Sequence, residues 1–345
     1  MESPDDLIFM LRAGPRAKAR ILILDRLRGR GRKTGSHFFA RRDNDFTLTM
    51  EEIMEPATAP HIFDRRRVRL RRQRSAKVFG SHDFLHRRAM TDIVDRLETV
   101  TRGFPRAVFS GAGDFTAMLT PACGVEECFS LDTASGRLPH DKFLAVVADD
   151  EAPPLARESL DLVVSLLTLH SANDLIAALG QARFALKPDG LFIAAVFGEA
   201  TLASLRQALY QAETELTGGV SARIAPFAAI QSFGAALTRA GFALPVVDVD
   251  KLRVRYSAPL KLIADLRGMG ETSVLASRGR ALRRDVFNRA MQIFVENGGE
   301  EQFEIVYLTG WAPHENQQKP LKPGSAQMPL SEALKSEALK PGSTQ

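Results

Sequence analysis

The sequence predicts a doubly wound α/β fold carried by a mostly parallel, seven-stranded sheet. Seven short apolar runs alternate with segments of helical periodicity through most of the 345 residues. Several of the runs are continuously apolar, as in strands covered on both faces by helices, rather than alternating as in a half-exposed sheet. The run ends are equally informative: one closes on a small-residue turn and the next two close on aspartate. Parallel strands collect ligand-binding groups at their carboxyl ends, so polar groups placed there point to a binding cleft.

The elements follow in order. Phe84 to Leu97 sets Leu85, Ala89, Ile93, Val94 and Leu97 at helical spacing, and Gly103-Phe104-Pro105 breaks that helix. Ala107 to Ser110 is the first strand and runs into Gly111-Ala112-Gly113. Cys128 to Leu131 runs into Asp132, and Phe143 to Ala148 into Asp149-Asp150. Asp161 to Leu166 reads as a strand buried on both faces. Asn173 or Ser171 caps the next helix, whose apolar members Leu175, Ile176, Leu179, Ala182, Phe184 and Leu186 stop at Lys187-Pro188-Asp189-Gly190. Leu191 to Phe197 is another buried strand, and helices over 201–216 and 226–240 and strands over 244–254 and 303–311 complete the alternation.

Composition sets the class. An apolar fraction of 45% is that of a globular protein, and no run of about 18 apolar residues predicts a membrane span. Cys123 and Cys128 make no disulfide framework, which fits a reducing compartment. The net charge of +5 is unevenly spread, with arginine dominating from Arg12 to Arg42 and from Arg65 to Lys77. Residues 1–53 read as disordered, as a transit peptide opposed by Glu2, Asp5, Asp6 and Asp25, or as an over-extended start ahead of Met54, the preferred reading. Residues 54–103 form a basic lead-in and helix, in which Val68, Arg71, Arg72 and Ser75 share a face. The expected role is a solvated cationic helix over the sheet edge. Nucleic acid is not favoured as a partner, because stacking aromatics are sparse. His82, Asp83 and His86 make a helical cluster, but the surrounding arginines repel a cation and no metal is expected. From 313 to 345 the chain reads as a flexible tail, repeating Ser331-Glu332-Ala333-Leu334-Lys335 at Ser336 to Lys340.

Gly111-Ala112-Gly113, Asp132, Asp149, Asp161-Leu162-Val163-Val164-Ser165 and Leu186-Lys187-Pro188-Asp189-Gly190-Leu191 together resemble the class I S-adenosylmethionine methyltransferases. A more specific resemblance is to complex I assembly factors of that fold, described as arginine hydroxylases of an NADH dehydrogenase subunit. It rests on Ile62-Phe63-Asp64-Arg65, Leu169-His170 with Asn173-Asp174-Leu175, Phe197-Gly198 with Thr201-Leu202, Ala212-Glu213-Thr214-Glu215, and Asp265-Leu266-Arg267-Gly268-Met269-Gly270-Glu271. The likeness spans roughly Ile62 to Trp311 and implies a Rossmann-like domain over 104–312, with a helical insertion at about 255–300.

The resemblance also implies S-adenosylmethionine as cofactor. Its methionine end would lie over Gly111, Ala112 and Gly113, its ribose on Asp132 and its adenine near Asp149 and Asp150. On that role, Asp132→Ala should weaken cofactor binding at least about tenfold, one charge-assisted hydrogen bond's worth, with thermal unfolding nearly unchanged. The chain departs from the family in having Phe109 where an acidic residue is usual and Phe115 where a third glycine is usual, with Asp114 between Gly113 and Phe115. His170, Glu199 and Arg206 are the candidate catalytic residues. Asp265, Arg267 and Glu271 shape either a lid or an ordinary helix-terminating turn. The implied function is modification of an arginine on a complex I subunit, near the bilayer that holds the complex. A bacterial protein would do this in the cytoplasm, peripheral to the inner membrane, and a eukaryotic one in the mitochondrial matrix. Methyl transfer to a small molecule or another protein stays open, as does a non-catalytic assembly chaperone with a degenerate loop.

Overall fold

The computed structural model describes residues 61–139, 144–277 and 279–317. The expectations for 1–53 and for the repeats after residue 320 lie outside the described residues. The strands are β1 (Phe104–Ser110), β2 (Val125–Asp132), β3 (Ala145–Val147), β4 (Leu160–Leu166), β5 (Leu186–Phe197), β6 (Ala243–Arg255) and β7 (Glu300–Trp311). They form one sheet in the order β3-β2-β1-β4-β5-β7-β6. From β3 to β5 every pairing is parallel, whereas β7 runs antiparallel to both β5 and β6.

Among the described residues seven α-helices accompany the sheet: α1 (Arg65–Ser75), α2 (Phe84–Thr99), α3 (Leu175–Ala185), α4 (Ala203–Thr217), α5 (Ile230–Arg239), α6 (Pro259–Met269) and α7 (Arg284–Glu296). Two apolar clusters fill the two faces. In one, Phe109, Val164 and Ile193 of the sheet meet Ile93 of α2, Leu205 of α4 and Phe294 of α7. In the other, Val108, Val163 and Phe192 meet Leu179 of α3 and Phe233 of α5. Alternate residues of β1 and β4 thus serve opposite cores, which is why apolar residues follow one another in Ala107 to Phe109 and Leu162 to Val164 rather than alternating with polar ones.

Local chemistry explains most boundaries. Asp64 caps α1 by accepting from the Arg67 amide at 3.1 Å. The cap of α3 is Asp174, which accepts from the Ala177 amide at 2.8 Å. Asn173, expected to cap it, instead brackets the Phe63 backbone, accepting from its amide at 2.8 Å and donating to its carbonyl at 3.1 Å. The Lys187 to Gly190 turn bulges out of β5 between the pairs Leu160↔Leu186 and Leu162↔Leu191. The buried carboxylate of Glu301, on β7, caps α4 by accepting from the Ser204 and Leu205 amides at 3.1 and 2.8 Å. Among the described residues no helix is long and apolar enough to cross a membrane.

Candidate functional site

The order of strands reverses at β1, whose neighbours are β2 and β4, and the carboxyl ends of β1 and β4 therefore flank the expected crevice. Gly111 turns the chain there at φ 74°, and Gly113 follows at φ 50°. Only glycine suits both. A Cβ at Gly111 would collide with Thr168 and the Leu166 carbonyl, and one at Gly113 would lie 2.5 Å from the Arg137 carbonyl. Phe109 and Phe115 do not obstruct the crevice. Both rings belong to the core beneath α2, where Phe115 stacks on His86 and meets Phe79 edge-on.

What fills the crevice is α1. Arg72, only 3% exposed, donates to both oxygens of Asp132, Nε to Oδ1 at 3.1 Å and Nη2 to Oδ2 at 2.6 Å. Asp132 is 1% exposed and also accepts from the Ala134 amide at 2.8 Å. Two turns earlier, Arg65 clasps Asp149 with Nη2 to Oδ1 at 2.6 Å, and its Nη2 lies 3.5 Å from Asp150. Asp150 in turn accepts from the Ser110 hydroxyl. Gln73 extends the cover by accepting from the Ser135 hydroxyl and the Gly136 amide at 3.2 and 3.1 Å. Helix α1 is thus no solvated cover of the sheet edge. Its face of Val68, Arg72 and Ser75 is buried over the strand ends.

Electrostatics agree with that geometry. Burial alone would lower the Arg72 guanidinium, yet Asp132, with Glu271 and Asp150 behind it, raises it above the ordinary value. For Asp149, burial works to raise the carboxyl, but the Arg65 hydrogen bond, the Glu151 amide and the Arg65 charge together outweigh it and hold the group low. The cofactor inferred from resemblance does not fit this arrangement. A ribose diol offers neutral hydrogen bonds to Asp132, which already holds a bidentate, charge-assisted partner in a dry site. The acids stand at the expected strand ends, but guanidinium groups hold them.

Beside this cover lies a cavity of about 290 Å³, walled mainly by apolar side chains of α1, α4, α6, α7 and the 223–227 segment. Its polar end gathers Arg72, Asp150, Thr168, His170, Ser171 and Glu271. His170 sits in a 3₁₀ turn after β4, its Nε2 3.0 Å from Glu271 Oε2 and its Nδ1 buried without a partner among the described residues. Burial would raise the Glu271 carboxyl, but His170 and then Arg72 hold it below its ordinary value.

Of the candidate catalytic residues, only His170 lines this cavity. Glu199 is exposed after β5, and Arg206 donates to the Glu199 and Thr201 carbonyls at 3.5 and 3.1 Å, bracing its own loop. Asp265 and Arg267 lie within α6 rather than in a loop, Gly270 ends that helix at φ 87°, and Glu271 follows it into the cavity. His82 and His86 diverge: the first pairs with Asp265 at 2.7 Å, while the second is buried against Phe79 and Phe115. Among the described residues no cluster could hold a metal ion.

Sequence reasoning missed Arg65, Arg72 and Arg137 as site residues. For Arg72 a signal existed, since it shares the Val68 and Ser75 face. Arg137 carried none. It follows β2, is 6% exposed and sits over the Phe79 ring, and both its Nη atoms lack hydrogen-bond partners among the described residues.

Strand order, the single reversed strand and acids at the ends of β2 and β3 define a protein of the class I methyltransferase fold. Residues 108–194 match the methyltransferase domain family model. The chain is 36% identical to the arginine-hydroxylase NDUFAF5, mitochondrial, of Danio rerio, over 80% of this chain and 90% of that protein. The protein of the same name from Homo sapiens is also 36% identical, over 81% of this chain and 86% of the other. A malonyl-[acyl-carrier protein] O-methyltransferase of Methylovorus is 30% identical, over 73% and 90%. The chain belongs to the arginine-hydroxylase NDUFAF5 family, within the class I methyltransferase superfamily. The NDUFAF5 relatives are named mitochondrial, which stands against a general cytoplasmic placement.

Proposed function

We propose that this protein acts in the assembly of respiratory complex I and modifies an arginine side chain of one of its subunits. One observation carries the reading beyond the family likeness: the carboxylates at the strand ends bind guanidinium groups, those of Arg65 and Arg72. A cleft that holds arginine within the chain has the chemistry to hold it from a partner. Cofactor binding enters on a condition. S-adenosylmethionine reaches Asp132 and Asp149 only when α1 withdraws its arginines, and we assign no step to it. His170, with one ring nitrogen on Glu271 and the other facing no partner, is the chain's group for holding or moving a proton at the cavity. The compartment follows complex I, at the matrix side in a eukaryote and at the cytoplasmic side of the inner membrane in a bacterium.

The closed crevice favours a second reading, a chaperone that binds the subunit without modifying it. Mass spectrometry of complex I subunits from a deletion strain separates these. An arginine lighter by one oxygen than in wild type supports hydroxylation, and one lighter by a methylene supports methyl transfer. Unchanged subunit masses with failed assembly would leave the chaperone.

A further inference from the structure

We propose that the cavity beside α1 is the pocket for the modified side chain, its apolar walls taking the methylene stem and Glu271 and Asp150 receiving the guanidinium. The proposal rests on the arginine reading above and adds where that side chain goes and which residues select it.

Three observations carry it. The first is shape: about 290 Å³ of space is walled by Leu205, Leu209, Phe227, Ile263, Leu266 and Met291, with its carboxylates gathered at one end. An arginine side chain has the matching form, an apolar stem with a charged fork at its tip. The second is charge. Around the polar end stand five carboxylates, Asp132, Asp149, Asp150, Glu151 and Glu271, against three guanidiniums, Arg65, Arg72 and Arg137, while the other guanidinium on the cavity lining, Arg223, is taken up by Glu213 at 2.6 Å. A cationic ligand corrects that excess and an anionic one deepens it. Asp150 reports the same shortage: burial pushes its carboxyl up, and the Ser110 hydrogen bond, Arg65 and Arg72 do not bring it back down.

The third observation is unused acceptor capacity. Among the described residues Glu271 Oε1 has only Arg72 Nη1, at 3.9 Å, and Asp150 Oδ2 has only Arg65 Nη2, at 3.5 Å, both beyond good hydrogen-bond distance. Two open carboxylate oxygens suit the planar fork of arginine better than the single ammonium of lysine. His170 is a positioning residue. Its ring, packed against Phe197 and Phe227 at centroid distances of 4.8 and 5.9 Å, fixes Glu271 Oε2 and so aims Oε1 into the cavity.

Calorimetry on the full chain with N-acetyl-arginine amide tests this, with the citrulline and norleucine amides as uncharged counterparts. The arginine probe should bind about tenfold or more tightly than either, the worth of one charge-assisted hydrogen bond. Glu271→Gln should remove that preference and leave the norleucine affinity unchanged. Ile263→Trp, which fills the apolar wall, should weaken all three, and thermal unfolding checks that both variants fold. Equal affinity for arginine and citrulline, no binding to the wild-type chain, or an arginine preference that survives both substitutions would overturn the pocket. Those outcomes beside an altered arginine in the deletion strain would sink the pocket alone, whereas unaltered arginine would sink the reading beneath it.

Discussion

At the scale of the residue, the Arg72 and Asp132 pair changes what a substitution there means. From sequence, Asp132→Ala concerns a ligand; in the structure it strands a buried guanidinium. Removing one partner of a buried pair costs about 3–5 kcal/mol, because the other charge is left in a dry site. Arg72→Met should therefore lower stability to urea by about that amount, and Arg72→Met with Asp132→Leu should recover most of it, since an apolar pair replaces both charges. Additive losses in the double variant would show that the pair is not coupled. Arg137 makes the converse case. Burial, and then repulsion from Arg72, bring its guanidinium down to about 9, so it is still charged at neutral pH with no hydrogen-bond partner. Arg137→Leu should raise Tm by about 2 °C or more, the shift expected for about 1 kcal/mol of relieved charge burial. A lower Tm would mean that stacking on Phe79 outweighs that burial.

At the scale of the element, α1 is a helix whose own sequence stabilises it poorly and whose attachment is electrostatic. Like charges crowd its outer face, where Arg71 is lowered by burial and then by Arg74 and Arg67. It is held by the acids beneath. Asp149 and Glu271 are both depressed in the folded state, so the stability they supply is complete above the ordinary carboxylate range and drains as pH falls through their lowered values. Asp150 works in the opposite sense, since its raised carboxyl is relieved by protonation. Amide hydrogen exchange, corrected for intrinsic rates, should show α1 losing protection below about pH 4 before α3 does. The Glu271→Gln variant should show a shallower loss. Concerted loss in both helices would mean that α1 is fixed by packing instead. Adding S-adenosylhomocysteine at neutral pH reports on the cofactor in the same measurement, because a nucleoside that displaces Arg72 must also deprotect α1.

At the scale of the whole molecule, the architecture was readable because it is written in local patterns. Unbroken apolar runs such as Leu162 to Val164 mark strands with two cores, and Gly111 and Gly113 mark the turn that only glycine tolerates. Site occupancy was not readable in the same way. Arg72 meets Asp132 across 60 residues of chain, and Glu271 meets His170 across 101, so no local window contains either pair. The pattern also hid direction: Phe109, suspect because it replaces an acid, turns into the core, while the obstructing groups come from a helix that looked peripheral. Topology carries one more consequence, for biosynthesis. Because β7 lies between β5 and β6, the ribosome must release Glu300–Trp311 before β5 gains its second neighbour and β6 its first, and Glu301 reaches the amides of α4 only then. A nascent chain stalled earlier leaves β5 with an open edge and β6 unpaired, so translation beyond Trp311 is the step that closes those edges to aggregation.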